Sequence, residues 1–242
     1  MQTAAFAAAG LDWTYELLDV PPEGLNDAIA SLRAKDVGGA NVTIPYKLAV
    51  MEHMDRLEAD ALRAHAVNTI SRDGEHLVGS NTDVAGIRAA LVDVGFDEPR
   101  GIRAVVLGAG GSARAAAVAL EGAHITFVAR RPETAGDLPG RIAAWSEHAW
   151  QKETREADVL LNATPLGRHD EMPMRPNALP KAGAVVDLVY VKGGTPLVRK
   201  ARSLGLRVAD GWGVLLAQGA RSFEIWTGRA APVDTMREAL QP

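Results

Sequence analysis

Hydrophobic and polar positions alternate along this chain between short apolar runs of strand length and longer stretches with helical spacing. Residues 1–10 predict a helix that ends at Gly10. The alternation of Trp13, Tyr15 and Leu17 predicts a strand over 11–20, broken by Pro21-Pro22 ahead of a helix over 23–35. Residues 37–43 read as extended, and Pro45 suits the first turn of a following helix, which would put Lys47 in that turn, where a cation meets the unfavourable end of the helix dipole and is worth suspecting. A helix over 57–63 follows, then two strands, 66–70 and 76–81, around the turn Arg72-Asp73-Gly74. Asn81-Thr82-Asp83 opens an amphipathic helix that runs to about Val94, stops at Gly95 and links a first domain to a second.

From residue 103 the pattern sharpens. Strands are predicted over 104–107, 124–129, 158–163, 184–189 and 206–209, with helices beginning near Gly111 and spanning 195–204. Residues 132–147 are polar and read as short helix and loop; 168–180 form a proline-rich loop. This succession specifies an α/β fold with a Rossmann-type, doubly wound parallel sheet. A long apolar helix over 213–227, stopped by Gly228, and a last helix over 233–240 close the chain. The expected division is a first α/β domain of residues 1–84 completed by the C-terminal helices, about 214–242, and a second domain of 85–213.

Composition narrows the chemistry. A chain of 242 residues with 47% hydrophobic and 23% charged residues can fill two modest cores. A net charge of -4 without a basic cluster argues against nucleic acid as a partner. Cysteine is absent, which removes disulfides and thiolate metal sites, and the six histidines lack paired ligand spacing, so no metal is expected. The small apolar start has no basic leader and is too short to span a bilayer, so a cytoplasmic protein without a membrane partner is expected.

The sharpest local signal is Ala-Val-Val-Leu-Gly-Ala-Gly-Gly-Ser-Ala-Arg-Ala-Ala-Ala over 104–117. Gly108, Gly110 and Ala113 fit the G-x-G-x-x-G/A pattern: a tight turn, a close backbone approach to a pyrophosphate, and close contact of helix and strand. The new helix offers free N–H groups and its positive dipole end to phosphate. About twenty residues on, where a carboxylate usually holds the ribose 2'-hydroxyl of NAD, the chain has Arg130 and Arg131. Two guanidinium groups suit a 2'-phosphate and point to NADP. Spacing alone leaves Lys47 readable as a solvent-facing lysine and Thr82 or Asp83 as a helix N-cap.

Set side by side, Asn41-Val-Thr-Ile-Pro-Tyr-Lys47, Ala66-Val-Asn68-Thr, Gly79-Ser-Asn81-Thr82-Asp83, Gly108-Ala-Gly-Gly-Ser-Ala-Arg-Ala, Asn162-Ala-Thr-Pro-Leu-Gly167, Asp187-Leu-Val-Tyr190 and Asp210-Gly-Trp-Gly-Val-Leu-Leu-Ala-Gln218 resemble the shikimate dehydrogenases. Their order covers nearly the whole chain. The resemblance implies reversible NADPH-dependent reduction of 3-dehydroshikimate to shikimate in aromatic amino-acid biosynthesis, with residues 1–84 as substrate domain and 85–213 as NADP domain. It implies Lys47 and Asp83 as the catalytic pair. Thr43, Asn68, Tyr190 and Gln218 would bind ring hydroxyls and carboxylate; without it, Tyr190 and Gln218 read as polar members of buried elements. Gly108, Ala109, Gly110, Gly111, Ser112, Ala113, Arg130, Arg131, Thr164, Gly211 and Val214 would bind NADP. Trp226 and Phe223 are core residues on either reading. A monomer or homodimer is expected.

The chain also departs from that family. Relatives usually begin with a strand and a Ser-x-Ser-Pro turn that this sequence lacks, and those serines bind the substrate carboxylate. Hydrogen bonds to a charged group contribute about 1.5 to 3 kcal/mol each, so a truncated start or a variant with weak shikimate binding is expected. Gln2-Thr3 stands where His-Asn is common, Ala129 where asparagine is usual, and Val214 where methionine commonly meets the nicotinamide. The alternatives are a quinate/shikimate or aminoshikimate dehydrogenase paralogue, with NAD as a possible cofactor, and a catalytically weak or silent NADP-binding homologue.

Overall fold

The computed structural model describes residues 1–240, apart from the side chain of residue 134. The chain forms two compact units, Met1–Thr82 with Leu216–Pro242, and Asp83–Leu215. In chain order its elements are α1 (Gln2–Ala8), α2 (Leu25–Ser31), β1 (Gly39–Asn41), β2 (Arg56–Leu57), α3 (Ala59–Ala64), β3 (Thr69–Asp73), β4 (His76–Ser80) and α4 (Thr82–Asp93). There follow β5 (Arg103–Leu107), α5 (Gly111–Ala119), β6 (His124–Ala129), β7 (Arg141–Ala144), α6 (Ala149–Thr154), β8 (Val159–Asn162), β9 (Ala184–Asp187), α7 (Pro196–Ser203), β10 (Arg207–Ala209), α8 (Gly211–Thr227) and α9 (Val233–Glu238). The chain passes from one unit to the other at the first residue of α4 and within α8.

In the first unit a four-stranded sheet has the order β1-β3-β4-β2. The hairpin β3–β4 pairs Thr69 with Ser80 and Asp73 with His76 and turns at Gly74, whose φ of +63° suits a residue without a side chain. Ile29, Leu32, Val50, Ala61, Val67, Ile70 and Leu77 fill one core. A second forms where the C-terminal segment packs on α1: Phe6 stacks on Phe223 at 5.6 Å, with Ala5 and Met236 buried beside them.

The second unit is a six-stranded, wholly parallel sheet in the order β10-β9-β8-β5-β6-β7. Every residue of β8 and β9 is buried, as continuous apolar runs in a sheet covered on both faces require. Val105, Leu107, Trp150, Leu160, Val185 and Leu197 lie in its core. Strand order reverses between β5 and β8, the switch point at which such sheets open a crevice beyond their carboxyl ends.

Three expectations are corrected. Residues 11–20 form no strand: Trp13 meets Phe6 edge-on at 5.4 Å and Tyr15 lies 6.0 Å from Trp226, while Leu17 is 96% exposed, so the aromatic alternation serves separate ring contacts instead of a ladder. Pro45 does not open a helix. It follows a cis peptide bond inside a turn, and the next helical segment is a 3-10 turn at Ala49–His53, two residues past Lys47, so the dipole argument for that lysine falls away. The polar stretch 132–147 contains β7, a four-residue edge strand preceded by Gly140, where a Cβ would lie 2.5 Å from the Ile125 carbonyl oxygen.

Candidate active site

In the first unit Thr43, Lys47, Asn68 and Gln218 lie on or beside one backbone framework that reaches Thr82, and Asp83 is the first residue of the second unit. Thr43 is exposed, one residue past Val42, whose N–H donates to the Asn68 carbonyl at 2.8 Å. Lys47 is half-buried, and its carbonyl accepts from the Val67 N–H at 2.7 Å. Asn68 is 3% exposed and clamps the start of α4: its Oδ1 accepts from the Thr82 N–H at 2.6 Å, and its Nδ2 donates to Thr82 Oγ1 at 3.0 Å. Asp83 is the next residue, half-buried in the first turn of α4, where a carboxylate also meets the favourable end of the helix dipole. Gln218, half-buried on α8, accepts from Thr82 Oγ1 through Oε1 at 3.3 Å.

Beneath these residues lies a group that sequence reasoning missed. The hydroxyls of Thr69, Thr82 and Ser222 stand 3.0 to 3.1 Å from one another, and Asn41 Nδ2 donates to Thr69 and Ser222 at 3.0 Å. All three hydroxyls are buried, so each needs these partners. One signal was available: Ser222 follows Gln218 by one helical turn and donates to its carbonyl at 3.0 Å. Tyr190, 44% exposed, is no member of a buried element.

In the second unit the glycine turn has the shape a dinucleotide needs. Gly108 has φ of +114°, and a Cβ there would lie 3.2 Å from the Ala163 carbonyl oxygen and 3.4 Å from Thr164 Cγ2. Its N–H donates to Val128 at 2.8 Å, tying the end of β5 to the end of β6. Gly110 has open space on its Cβ side and precedes α5, whose first residues are Gly111, Ser112 and the fully buried Ala113. Ala109 lies between, and Arg130 and Arg131 are exposed where β6 ends. Backbone open to a pyrophosphate, a helix start and two cations at the end of the neighbouring strand fit NADP.

Around the ends of β8 and β9 a buried polar network sets the remaining positions. Asn162 Oδ1 accepts from Thr164 Oγ1 at 2.7 Å, and its Nδ2 donates to Asp187 Oδ1 at 2.9 Å. Asp187 also accepts from the Val189 N–H at 3.0 Å and from Thr195 Oγ1 at 2.5 Å. Burial pushes the Asp187 carboxyl up to about 6, against the pull of these hydrogen bonds. Gly211 lies so close to this turn that a Cβ would sit 2.5 Å from the Val189 carbonyl carbon. Tyr190 lies 5.3 Å from the Trp212 ring, and Val214 is buried on α8.

Comparison with known proteins agrees along the whole chain. Residues 1–70 match the family model of the shikimate dehydrogenase substrate binding domain, and 211–241 that of the shikimate 5'-dehydrogenase C-terminal domain. A shikimate dehydrogenase (NADP(+)) of Moorella thermoacetica is 41% identical, over 100% of this chain and 87% of the relative. A solved structure of shikimate 5-dehydrogenase from Thermus thermophilus, in complex with NADP(H) and shikimate, superposes with a TM-score of 0.87 at 36% identity, covering 98% of this chain and 91% of that one. A ligand-free 5-ketofructose reductase of Gluconobacter superposes with a TM-score of 0.83, also at 36% identity, covering 98% and 90%.

Proposed function

The chain belongs to the shikimate dehydrogenase family, and from that premise we propose that it catalyses the reversible, NADP-dependent reduction of 3-dehydroshikimate to shikimate, a step of aromatic amino-acid biosynthesis. Bound NADPH supplies the hydride. Reduction of the ring ketone builds negative charge on its oxygen, which needs a proton and a donor close by. We assign the proton to the Lys47 ammonium and the orientation of substrate and lysine to the Asp83 carboxylate. Thr43, Asn68, Tyr190 and Gln218 are assigned to the ring hydroxyls and carboxylate, where an analogue lacking a hydroxyl would forfeit the hydrogen bond that hydroxyl makes. Gly108 to Ala113, Thr164, Gly211 and Val214 are assigned to the nucleotide, with Arg130 and Arg131 on its 2'-phosphate.

The observation that supports the reading is the pair of hydrogen bonds from Val67 to Lys47 and from Thr82 to Asn68, which ties the lysine backbone to Thr82, the residue before Asp83. The test is absorbance at the nicotinamide band with shikimate and NADP. A rate is expected that falls by about 10² to 10⁴ in Lys47→Ala and in Asp83→Asn, with nucleotide affinity kept. No signal from the native chain would overturn the assignment. A faster rate with 5-ketofructose than with 3-dehydroshikimate would move the substrate to the class of the Gluconobacter relative.

A further inference from the structure

The loop that follows Arg130 and Arg131 is moulded around a residue from another element. Arg114 lies in α5, four positions past Gly110, within a run buried from Ala113 to Ala119, and is itself only 8% exposed. Its Nη1 donates to Asp137 Oδ1 at 2.9 Å and its Nη2 to the Ala135 carbonyl at 3.2 Å. Gly136, between those two partners, has φ of +64°, and a Cβ there would come within 3.0 Å of Nη2. The guanidinium takes the room a side chain at 136 would need. Its Nε is buried without a hydrogen-bond partner among the described residues.

Stability alone is a poor reason for this arrangement. An apolar side chain of similar volume commonly serves as well as a buried ion pair, and an unpaired buried N–H is a cost. The partner carboxylate of Asp137 is 83% exposed, so the pair is screened on that side. What an apolar residue cannot do is grip a loop at two points, which the planar fork of arginine does. The two points lie four to seven residues beyond Arg130 and Arg131, and the same helix turn begins at the proposed pyrophosphate site.

We propose that Arg114 is a positioning residue for cofactor selectivity: by holding residues 135–137 against α5 it keeps Arg130 and Arg131 poised for a 2'-phosphate without touching the nucleotide itself. This rests on the NADP reading given above. A loop released from its tether would have to be ordered by the ligand, and that cost falls on the 2'-phosphate contacts and not on the pyrophosphate turn.

Calorimetric titration of the full chain with adenosine 2',5'-bisphosphate and with ADP separates the possibilities without any turnover. Arg114→Met is expected to weaken the bisphosphate about tenfold and ADP less than twofold, with Arg114→Lys, which keeps the charge but not the fork, in between. Asp137→Ala cuts the tether from its exposed end, and a selective loss of about threefold is expected there, which decides the matter if Arg114→Met fails to fold. Equal losses for both ligands, or none, overturn the positioning role. A native chain that binds the bisphosphate no better than ADP overturns the NADP reading itself, and this inference with it.

Discussion

Gly211 is a position that close packing leaves only glycine to fill. A methyl group there would run into a single peptide group, at 2.5 Å from the Val189 carbonyl carbon, 2.6 Å from its oxygen and 2.7 Å from the Tyr190 nitrogen, and none of these atoms can swing away. Gly211→Ala should therefore cost about 1 to 3 kcal/mol, read as a drop in melting temperature of several degrees, and raise the KM for shikimate by displacing Tyr190. A melting temperature within a degree of the native one would contradict so close an approach. Arg130→Ala makes the opposite kind of change, on the surface: the KM for NADPH is expected to rise by roughly tenfold while that for NADH stays put. Gly108, Gly110 and the two arginines stand out in the sequence because their pattern lies within a few residues, whereas Gly211 was named only through the family resemblance, since the peptide group it meets lies more than twenty residues earlier in the chain. The hydroxyl cluster of Thr69, Thr82 and Ser222 does not stand out, since it exists only after segments far apart in the chain have met. Lys47 was singled out partly on a helix turn that does not form.

Elements were legible in proportion to how completely they are buried. β5, β8 and β9 announce themselves as unbroken aliphatic runs because the parallel sheet is covered on both faces. β7, at the sheet edge with an exposed Arg141 and one buried residue, carries no such signal. Residues 11–20 carry the signal of a strand and use it otherwise. The end of β9 has a measurable pH signature. Folding lifts the Asp187 carboxyl from 3.8 to about 6, so between those values the folded chain keeps a proton that the unfolded chain has released. The stability this provides is full below the lower value and is lost as pH rises through the upper one, a loss on the order of 3 kcal/mol. Asp187→Asn removes the titration. Urea unfolding at pH 4.5 and 7.5 should show the variant gaining on the native chain by about 2 kcal/mol between the two conditions, and a constant difference would mean that Asp187 is ionised throughout. Thr195 caps α7 from the same network, accepting from Val198 at 3.1 Å, so Thr195→Ala should lower the melting temperature, at a cost of about 1 to 2 kcal/mol.

At the scale of the molecule, the chain builds one unit from a continuous stretch and the other from two stretches separated by more than a hundred residues. Phe223 is fully buried against Phe6, and Phe223→Ala should cost about 3 to 5 kcal/mol. Hydrogen exchange is the measurement: protection should fall in β3 and β4 and hold in β5 and β8, and an equal fall in both sheets would refute a core divided in this way. The alternation of strand and helix that marks the second unit was readable because every strand pair of its sheet except β5–β8 joins strands that follow one another in sequence. The first unit was harder to read for the reason that it is also slower to finish. As the polypeptide leaves the ribosome, Phe6, Gln2 and Asn41 emerge long before Phe223, Gly219 and Ser222, the residues that complete their surroundings. The parallel sheet can close while synthesis is still under way, whereas the earlier-born half must wait, with apolar surface uncovered, for the last helices to arrive.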